Sequence, residues 1–533
     1  MAETALTGNN LILTGFMGTG KSTIGQEVAR RLDRPFIDMD LEIERRNQAT
    51  VARIFAEKGE TAFREMERDL CRELSARNGL VIATGGGALV DPANRDALAA
   101  TGILICLNAH PETILSRIQT ANAPERPLLQ TEDPAAAVAR LLILRREAYR
   151  AIPWQIDTTT LSIAEAVERV LSLAEIQTLP VTHSGAGYPI HIGTGLLARL
   201  GDALRAVGIP ENSKVALVTN PVVEKYYAAP AESALRAAGL IPQRCLIPDG
   251  ESAKTLETVG NLYSQFLTAG LDREGTVLAL GGGVTGDIAG FAAATYLRGV
   301  RFVQVPTTLL AMTDSSVGGK TGVDLPQGKN LVGAFKPPEL VLIDPAVLAT
   351  LPIEEFRSGL AELIKHAVLG EPGLFAALEK RVGEPFPNSW ELAQSLRVKI
   401  AVVEADPHEK GQRAVLNLGH TLGHALEKIS QYTIRHGEGV AIGMVAAARI
   451  ATILGHAEGT LAYRIENLLQ AWGLPTTCPP YPAAKILAAT AYDKKRHGNT
   501  IRWILPCAIG SPKIIETVPP ETVLQVLQDM GAL

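Results

Sequence analysis

The chain has 533 residues, 46% hydrophobic and 20% charged, with 51 Lys and Arg against 56 Asp and Glu and a formal net charge of −5. At ~150 residues per domain this is room for three or four domains, and the near-balance of charge argues against a partner such as nucleic acid held by bulk electrostatics. Cys71, Cys106, Cys245, Cys478 and Cys507 are scattered with no CxxC pair, no apolar run approaches the ~20 residues of a membrane span, and the start lacks a secretory pattern; a soluble chain in the reducing cytoplasm is expected.

In chain order, residues 11–14, 35–38, 80–83 and 102–107 are short apolar runs bounded by glycine or turn residues, and helical patterns cover 23–32 and 162–173. Strands alternating with helices predict a parallel sheet with helices on both faces. Residues 175–188, polar and glycine-rich at 183–187, read as a linker. The alternation restarts with strands at 214–218, 244–247, 276–280, 301–305 and 340–343. Long helical stretches at 354–369, 390–406 and 437–454 then take over. The expected domains are 1–174 (α/β), 189–345 (α/β) and 346–533 (mainly helical).

The segment from Gly15 to Ser22 fits GxxxxGKS between a strand and a helix, a P-loop. Backbone N–H groups across Gly15, Gly18, Thr19, Gly20, Lys21, Ser22 and Thr23 would cradle phosphates at a helix N-terminus. In that motif Lys21 reaches the β/γ-phosphates and Ser22 holds Mg²⁺. Asp38 and Asp40 close the second strand, whose C-terminal end faces the crevice where such sheets bind ligands. Gly85, Gly86 and Gly87 allow a small ligand close to the backbone, and Arg64, Arg126 and Arg145 are cations for an anionic acceptor.

Together with Gly59-Glu60-x-x-Phe63-Arg64, Arg126-Pro127-Leu128 and Arg145-x-x-x-Tyr149, these strings over residues 8–173 resemble shikimate kinase. The resemblance implies ATP-dependent phosphorylation of the shikimate 3-hydroxyl. Asp40, Arg64 and Arg145 would hold shikimate, Asp40 being a possible proton acceptor. Arg126 would close from a lid onto the transferring phosphoryl group, and Asp38 would organise Mg²⁺.

Further along, Gly281, Gly282, Gly283 and Gly286 follow an apolar strand and open a helix, a glycine turn suited to a pyrophosphate. His420 and His424 stand at i,i+4 on one helix face, and His436 follows. Glu362 and Lys365 stand at i,i+3 on another helix. Two imidazoles and a carboxylate leave an open zinc position, as catalytic sites need. HExxH is absent, so no zinc protease is indicated.

These strings resemble 3-dehydroquinate synthase over residues 185–533. The match adds Asp249-Gly250-Glu251-x-x-Lys254, Tyr296-x-Arg298-Gly299, the run from Pro306 to Lys320, and Gly328-Lys329-Asn330. The resemblance implies zinc, with cobalt a possible substitute, on Glu362, His420 and His436, and His424 as an outer or proton-transfer residue. It implies NAD on Asp249, Glu251, Lys254, Gly281, Gly282, Gly283, Asp287, Thr307, Thr308 and Lys329. Asp314, Lys320, Asn330, Lys365, Lys399, Arg413 and Asn417 would face substrate, with Lys320, Lys365 and His424 serving catalysis. Arg298 would reach the substrate phosphate across a homodimer interface, and Lys494 or Lys495 could touch substrate.

The fold implied is a P-loop kinase-type parallel sheet, a Rossmann-like α/β domain and a mainly helical metal-binding domain. The synthase substrate, 3-deoxy-arabino-heptulosonate 7-phosphate, carries carboxylate and phosphate, which suits a Lys/Arg cluster. A metal-dependent alcohol dehydrogenase shares the layout but needs no such anion pocket. A cyclase acting on another heptulose phosphate is the closer rival.

Overall fold

A computed structural model describes residues 10–119, 133–183, 186–384, 387–406, 411–494 and 501–533. It divides into two compact units, the first running to Ile176 and taking in Arg199–Glu211 and Ala237–Gly239, the second holding the remainder. Among the described residues no helix is long and apolar enough to cross a membrane.

The first unit carries five parallel strands, β1 (Asn10–Gly15), β2 (Phe36–Asp38), β3 (Val81–Ala83), β4 (Gly102–Asn108) and β5 (Trp154–Asp157), in the order β2-β3-β1-β4-β5. β1 is buried along its whole length, the signature of a parallel strand covered on both faces. Its one strongly polar side chain, Asn10, donates to the Arg77 carbonyl (2.6 Å) and accepts from the Leu80 N–H (2.9 Å), so its burial leaves the amide satisfied. The C-terminal ends of β1, β2 and β3 lie side by side, which puts the P-loop, Asp38 and the triple glycine at one edge.

The second unit holds β6 (Gln177–His183), β7 (Ala186–Ile192), β8 (Lys214–Thr219), β9 (Ile241–Leu246), β10 (Thr276–Gly281), β11 (Arg301–Pro306), β12 (Lys320–Leu325), β13 (Gly328–Phe335) and β14 (Leu340–Ile343). Seven form a sheet in the order β6-β7-β14-β11-β10-β8-β9, parallel apart from the β6–β7 pair. β12 and β13 form a separate antiparallel hairpin. The expected linker is therefore corrected: most of 175–188 is strand. Leu179, Val181, Tyr188 and Ile190 are buried at alternating positions, a period-two pattern that the polar, glycine-rich composition of 183–187 obscures.

Helices Ile353–Gly370, Ser389–Ala405, His420–Ile429 and His436–Ile453 form the helical region, with a small hairpin of β15 (Trp503–Ala508) and β16 (Ser511–Ile515). This region and the seven-stranded sheet belong to one compact unit. The reason is close packing: a Cβ on Gly359 would stand 2.3 Å from the Leu310 backbone nitrogen.

Candidate active sites

In the first unit the loop after β1 turns on left-handed glycines, Gly18 (φ +80°) and Gly20 (φ +95°), while a Cβ on Gly15 would stand 2.1 Å from the Leu107 carbonyl oxygen. Gly20 precedes helix Lys21–Leu32, and no side chain caps it, so its first N–H groups and dipole are available to an anion. Lys21 Nζ donates to the Phe16 carbonyl across the loop (3.0 Å). Ser22 Oγ donates to Asp38 Oδ2 (2.5 Å). Asp38 also accepts from the Asp40 and Leu41 N–H groups, capping helix Met39–Asn47. Gly18, Gly20, Lys21, Ser22 and Thr23 line a cavity of about 780 Å³ together with Asp38, Asp40, Arg64, Gly85–Gly87 and Arg145.

The triple glycine is what lets side chains close on this edge. A Cβ on Gly85 would lie 2.6 Å from both Asp40 Oδ1 and Glu67 Oε1, and one on Gly87 would lie 2.4 Å from Arg64 Nη1. The Gly86 carbonyl accepts from Arg145 Nη1 (2.9 Å) and from Tyr149 Oη (2.6 Å). Arg145 is also poised over the Phe16 ring, 5.5 Å from its centroid.

Two side chains here escaped the sequence reading. Glu67 is 1% exposed and accepts from Arg64 Nη1 (2.6 Å). Burial, reinforced by the Asp40 charge and opposed by Arg64, pushes its carboxyl up to about 7. Its signal was available: Glu60, Arg64 and Glu67 stand at i, i+4 and i+7 on one helix face. Arg117 donates to the Gly18 carbonyl (3.3 Å) and the Thr158 carbonyl (2.7 Å), bracing the phosphate loop. Arg126 lies outside the described residues.

In the second unit, glycine contacts bring three helices together. A Cβ on Gly443 would stand 1.9 Å from the Gly419 carbonyl oxygen, and one on Gly437 would stand 2.3 Å from that of Ser358. Helix His436–Ile453 thus lies hard against helix His420–Ile429 and against the stretch of helix Ile353–Gly370 that carries Glu362. The ligand atoms of Glu362, His420 and His436 consequently lie within 4.8 Å of one another. His420 Nε2 is 3.6 Å and His436 Nε2 3.5 Å from Glu362 Oε1.

Glu362 is 1% exposed, and neither of its oxygens accepts a well-formed hydrogen bond. The ammonium of Lys365, itself buried, lies against Oε2. Burial penalises the Glu362 charge, but Lys365 and the two histidines outweigh it and hold the carboxyl well below its usual range. Burial and the Lys365 charge keep His420 neutral by lowering it well below the ordinary imidazole value. A neutral imidazole and an ionised, under-bonded carboxylate are what a divalent metal needs. Two other groupings have comparable spacing, His424–Glu427–His436 and Asp314–Glu362–His366. In the second of these Asp314 is already paired with Lys399 (2.5 Å). In the first, Glu427 Oε1 is bonded to His436 Nδ1 (2.9 Å).

Beside this cluster Lys320, Asn330, Asn417, His420, His424, Asp287 and Arg502 line a cavity of about 750 Å³. Lys399 is buried, which lowers it, while its ammonium holds Asp314 down against the cost of that residue's own burial. Arg413 is buried with Nη1 lacking a partner among the described residues. The turn after β10 leaves helix Gly283–Thr295 uncapped by any side chain. A Cβ on Gly282 would stand 3.0 Å from Thr308 Cγ2, and Thr307 Oγ1 is buried without a partner among the described residues. Lys254 pairs with Asp287 (2.6 Å) and also donates to Asn330 Oδ1. Burial raises Asp287 to about 6 despite that lysine.

Residues 244–358 and 359–496 match the N-terminal and C-terminal parts of 3-dehydroquinate synthase. The 3-dehydroquinate synthase of Symbiobacterium thermophilum is 48% identical over 343 residues, 63% of this chain and 96% of that protein. The chain belongs to the 3-dehydroquinate synthase family. Residues 17–175 match shikimate kinase, so a shikimate kinase domain is fused ahead of the synthase. The protein has both enzyme activities of the shikimate pathway.

Two solved structures are similar to the synthase half, each with TM-score 0.59. One is 2-epi-5-epi-valiolone synthase from Streptomyces hygroscopicus subsp. jinggangensis with NAD+ and Zn2+ bound, 28% identical, covering 65% of this chain and 97% of that one. The other is 2-deoxy-scyllo-inosose synthase with carbaglucose-6-phosphate, NAD+ and Co2+, 25% identical, covering 66% and 100%.

Elsewhere in the synthase half, Asp249 accepts from Asn220 Nδ2 (2.7 Å). Lys329 pairs with Glu251 (3.0 Å) and stands over the Tyr432 ring, 4.9 Å from its centroid. Arg298 is exposed on a turn with Leu297, both left-handed at φ +68° and +50°. It is not among the cavity-lining residues. Lys494 ends helix Ala483–Lys494, and Lys495 lies outside the described residues. Sequence reading missed Glu427 and Arg502, because neither stands in the strings that carried the resemblance.

Proposed function

We propose that the synthase half uses zinc and NAD to convert 3-deoxy-arabino-heptulosonate 7-phosphate to 3-dehydroquinate with release of phosphate. The observation that carries this is the convergence of Glu362, His420 and His436 beside a cavity lined by the cations Lys320 and Arg502. Glu362, His420 and His436 would hold zinc, which would supply Lewis-acid chemistry at a substrate hydroxyl, and bound NAD would supply reversible hydride exchange with no net redox change. The buried Thr307 hydroxyl and the Gly281–Gly283 turn suit a dinucleotide, with Asp249, Glu251, Lys254, Asp287, Thr308 and Lys329 around it. Lys320, Lys365, Lys399 and Arg413 supply cations for carboxylate and phosphate, while Asp314, Asn330 and Asn417 accept and donate to hydroxyls. His424, exposed at the cavity, is placed to move a proton. Arg298 completes the phosphate site of a partner in a homodimer.

In the kinase half, the P-loop would hold ATP, and Ser22 and Asp38 would hold Mg²⁺. Shikimate is held by Asp40, Arg64, Arg145 and the Gly85–Gly87 backbone, and Lys21 and Arg126 stabilise charge on the transferring phosphoryl group. The substrates are small molecules and the setting is the cytoplasm.

The deciding assay for the synthase is phosphate release from 3-deoxy-arabino-heptulosonate 7-phosphate with catalytic NAD. Release should stop on chelation and return with zinc, without NADH build-up. Accumulating NADH would indicate a dehydrogenase, and no release would point to another heptulose phosphate. The 48% identity to a 3-dehydroquinate synthase, against 25–28% to the two solved cyclases named above, supports the first outcome. For the kinase, formation of shikimate 3-phosphate from ATP and shikimate is the matching test.

A further inference from the structure

We infer that Glu427 is a positioning residue for the zinc site, fixing the ring of His436 so that Nε2 rather than Nδ1 faces the metal. The inference rests on the metal reading above and adds a residue to which neither the family motifs nor the comparisons assign a role. Glu427 Oε1 stands 2.9 Å from His436 Nδ1, while His436 Nε2 stands 3.5 Å from Glu362 Oε1. The imidazole is thus bracketed by two carboxylates, one on each nitrogen. Only Glu362 also lies within reach of His420 Nε2, at 3.6 Å.

The two carboxylates are not equivalent. Glu362 belongs to a third helix and has both oxygens under-bonded in a 1% exposed position. Glu427 stands seven residues, about two turns, after His420 on the same helix, so the helix that supplies one ligand also orients the other. His436 opens the next helix, where its backbone is held independently: Glu438 accepts from the Arg435 N–H (2.9 Å), and the Gly437 N–H donates to Ser358 Oγ (3.0 Å). With the backbone fixed, ring rotation is the remaining freedom, and an Nδ1–H donated to Glu427 removes it. A carboxylate on the far nitrogen also makes the ligating nitrogen more basic. The alternative in which Glu427 is itself a ligand with His424 and His436 would require His436 to present Nδ1 to the metal, giving up the bond seen here.

The test uses the full-length protein stripped of metal, with zinc affinity read by competition against a chromophoric chelator for wild type, Glu427→Ala and Glu427→Gln. Wild type should take up one zinc at this site. Glu427→Ala should bind about 10–100-fold more weakly, the usual cost of losing such a partner. Glu427→Gln, which keeps an acceptor oxygen for Nδ1–H, should recover most of the loss. Unfolding midpoints of the zinc-free proteins separate misfolding from ligand misplacement, since only the zinc-induced rise should shrink in Glu427→Ala. Wild-type affinity in Glu427→Ala would overturn the inference alone. Failure of wild type to bind zinc would overturn the metal reading and the inference with it. Complete loss of zinc from both variants, with intact folding, would make Glu427 a ligand and also overturn its positioning role.

Discussion

On the functions proposed above, the kinase cavity and the synthase cavity face the same problem, holding an anionic substrate beside a nucleotide, and their lining differs. In the kinase half the backbone does most of the holding: an uncapped helix end, left-handed glycines and a triple glycine, with charged side chains leaning on carbonyls. In the synthase half the work falls to paired side-chain charges, buried Glu362 against buried Lys365 and half-exposed Asp314 against buried Lys399. A site made of backbone tolerates loss of a neighbour. One made of buried charges leaves a stranded ion whenever a partner goes, at a cost larger than the pair's own contribution.

The largest expected effect tests the functional independence of the two halves. Lys21→Met should lower kinase turnover by about 10³-fold, since electrostatic stabilisation dominates phosphoryl transfer. The phosphate-release rate of the synthase should not change. A parallel fall in both would break the comparison by showing coupling between the halves. Next, Lys365→Met in the zinc-free protein should cost about 3–5 kcal/mol in the unfolding transition of the second unit, because Glu362 is left charged and buried. A loss below 1 kcal/mol by urea titration would mean that water or a proton compensates Glu362.

Glu67 sharpens the comparison, being the one strongly buried carboxylate of the kinase cavity. Burial pushes its carboxyl up to about 7 from the ordinary glutamate value of about 4.5, so the folded state holds the proton more tightly than the unfolded one. Stability from this group is therefore full below about 4.5 and lost as pH rises to about 7, a total of about 3 kcal/mol. The substrate-free kinase unit should unfold at lower urea at pH 8 than at pH 5, and Glu67→Gln should flatten that dependence. A wild-type stability that climbs over this range would mean that Arg64 keeps Glu67 ionised. Gly443→Ala tests packing instead of charge. Its Cβ would meet the Gly419 backbone carbonyl, which cannot swing aside as a side chain would, so overpacking should cost about 3 kcal/mol or more, measured by thermal unfolding. By spreading His420 from His436 it should weaken zinc binding while sparing the kinase.

Much of the fold was legible because parallel strands buried on both faces are continuous apolar runs. Residues 11–14 and 276–280 fall inside β1 and β10. The hairpin of β12 and β13 was not legible. β13 is largely exposed, so it lacks the alternation that marks a half-buried strand. β6 was hidden for a related reason, its polar turn outweighing the buried Leu179 and Val181. At the sites, the P-loop and the triple glycine could be read as strings, whereas Glu67, Arg117 and Glu427 could not.

By itself the sequence determined the two enzyme families, the strand-to-helix phosphate turns and the residues capable of holding a metal. These depend on backbone conformation over a few consecutive positions, and only certain residues permit it. The tertiary structure alone decided how near His436 comes to His420 and Glu362, that Glu427 takes its other nitrogen, and that Glu67 is buried against Asp40. Those relations depend on how closely helices far apart in the chain can approach, set here by glycine against backbone at Gly419, Gly437 and Gly443. Spacing along the chain carries no measure of that distance.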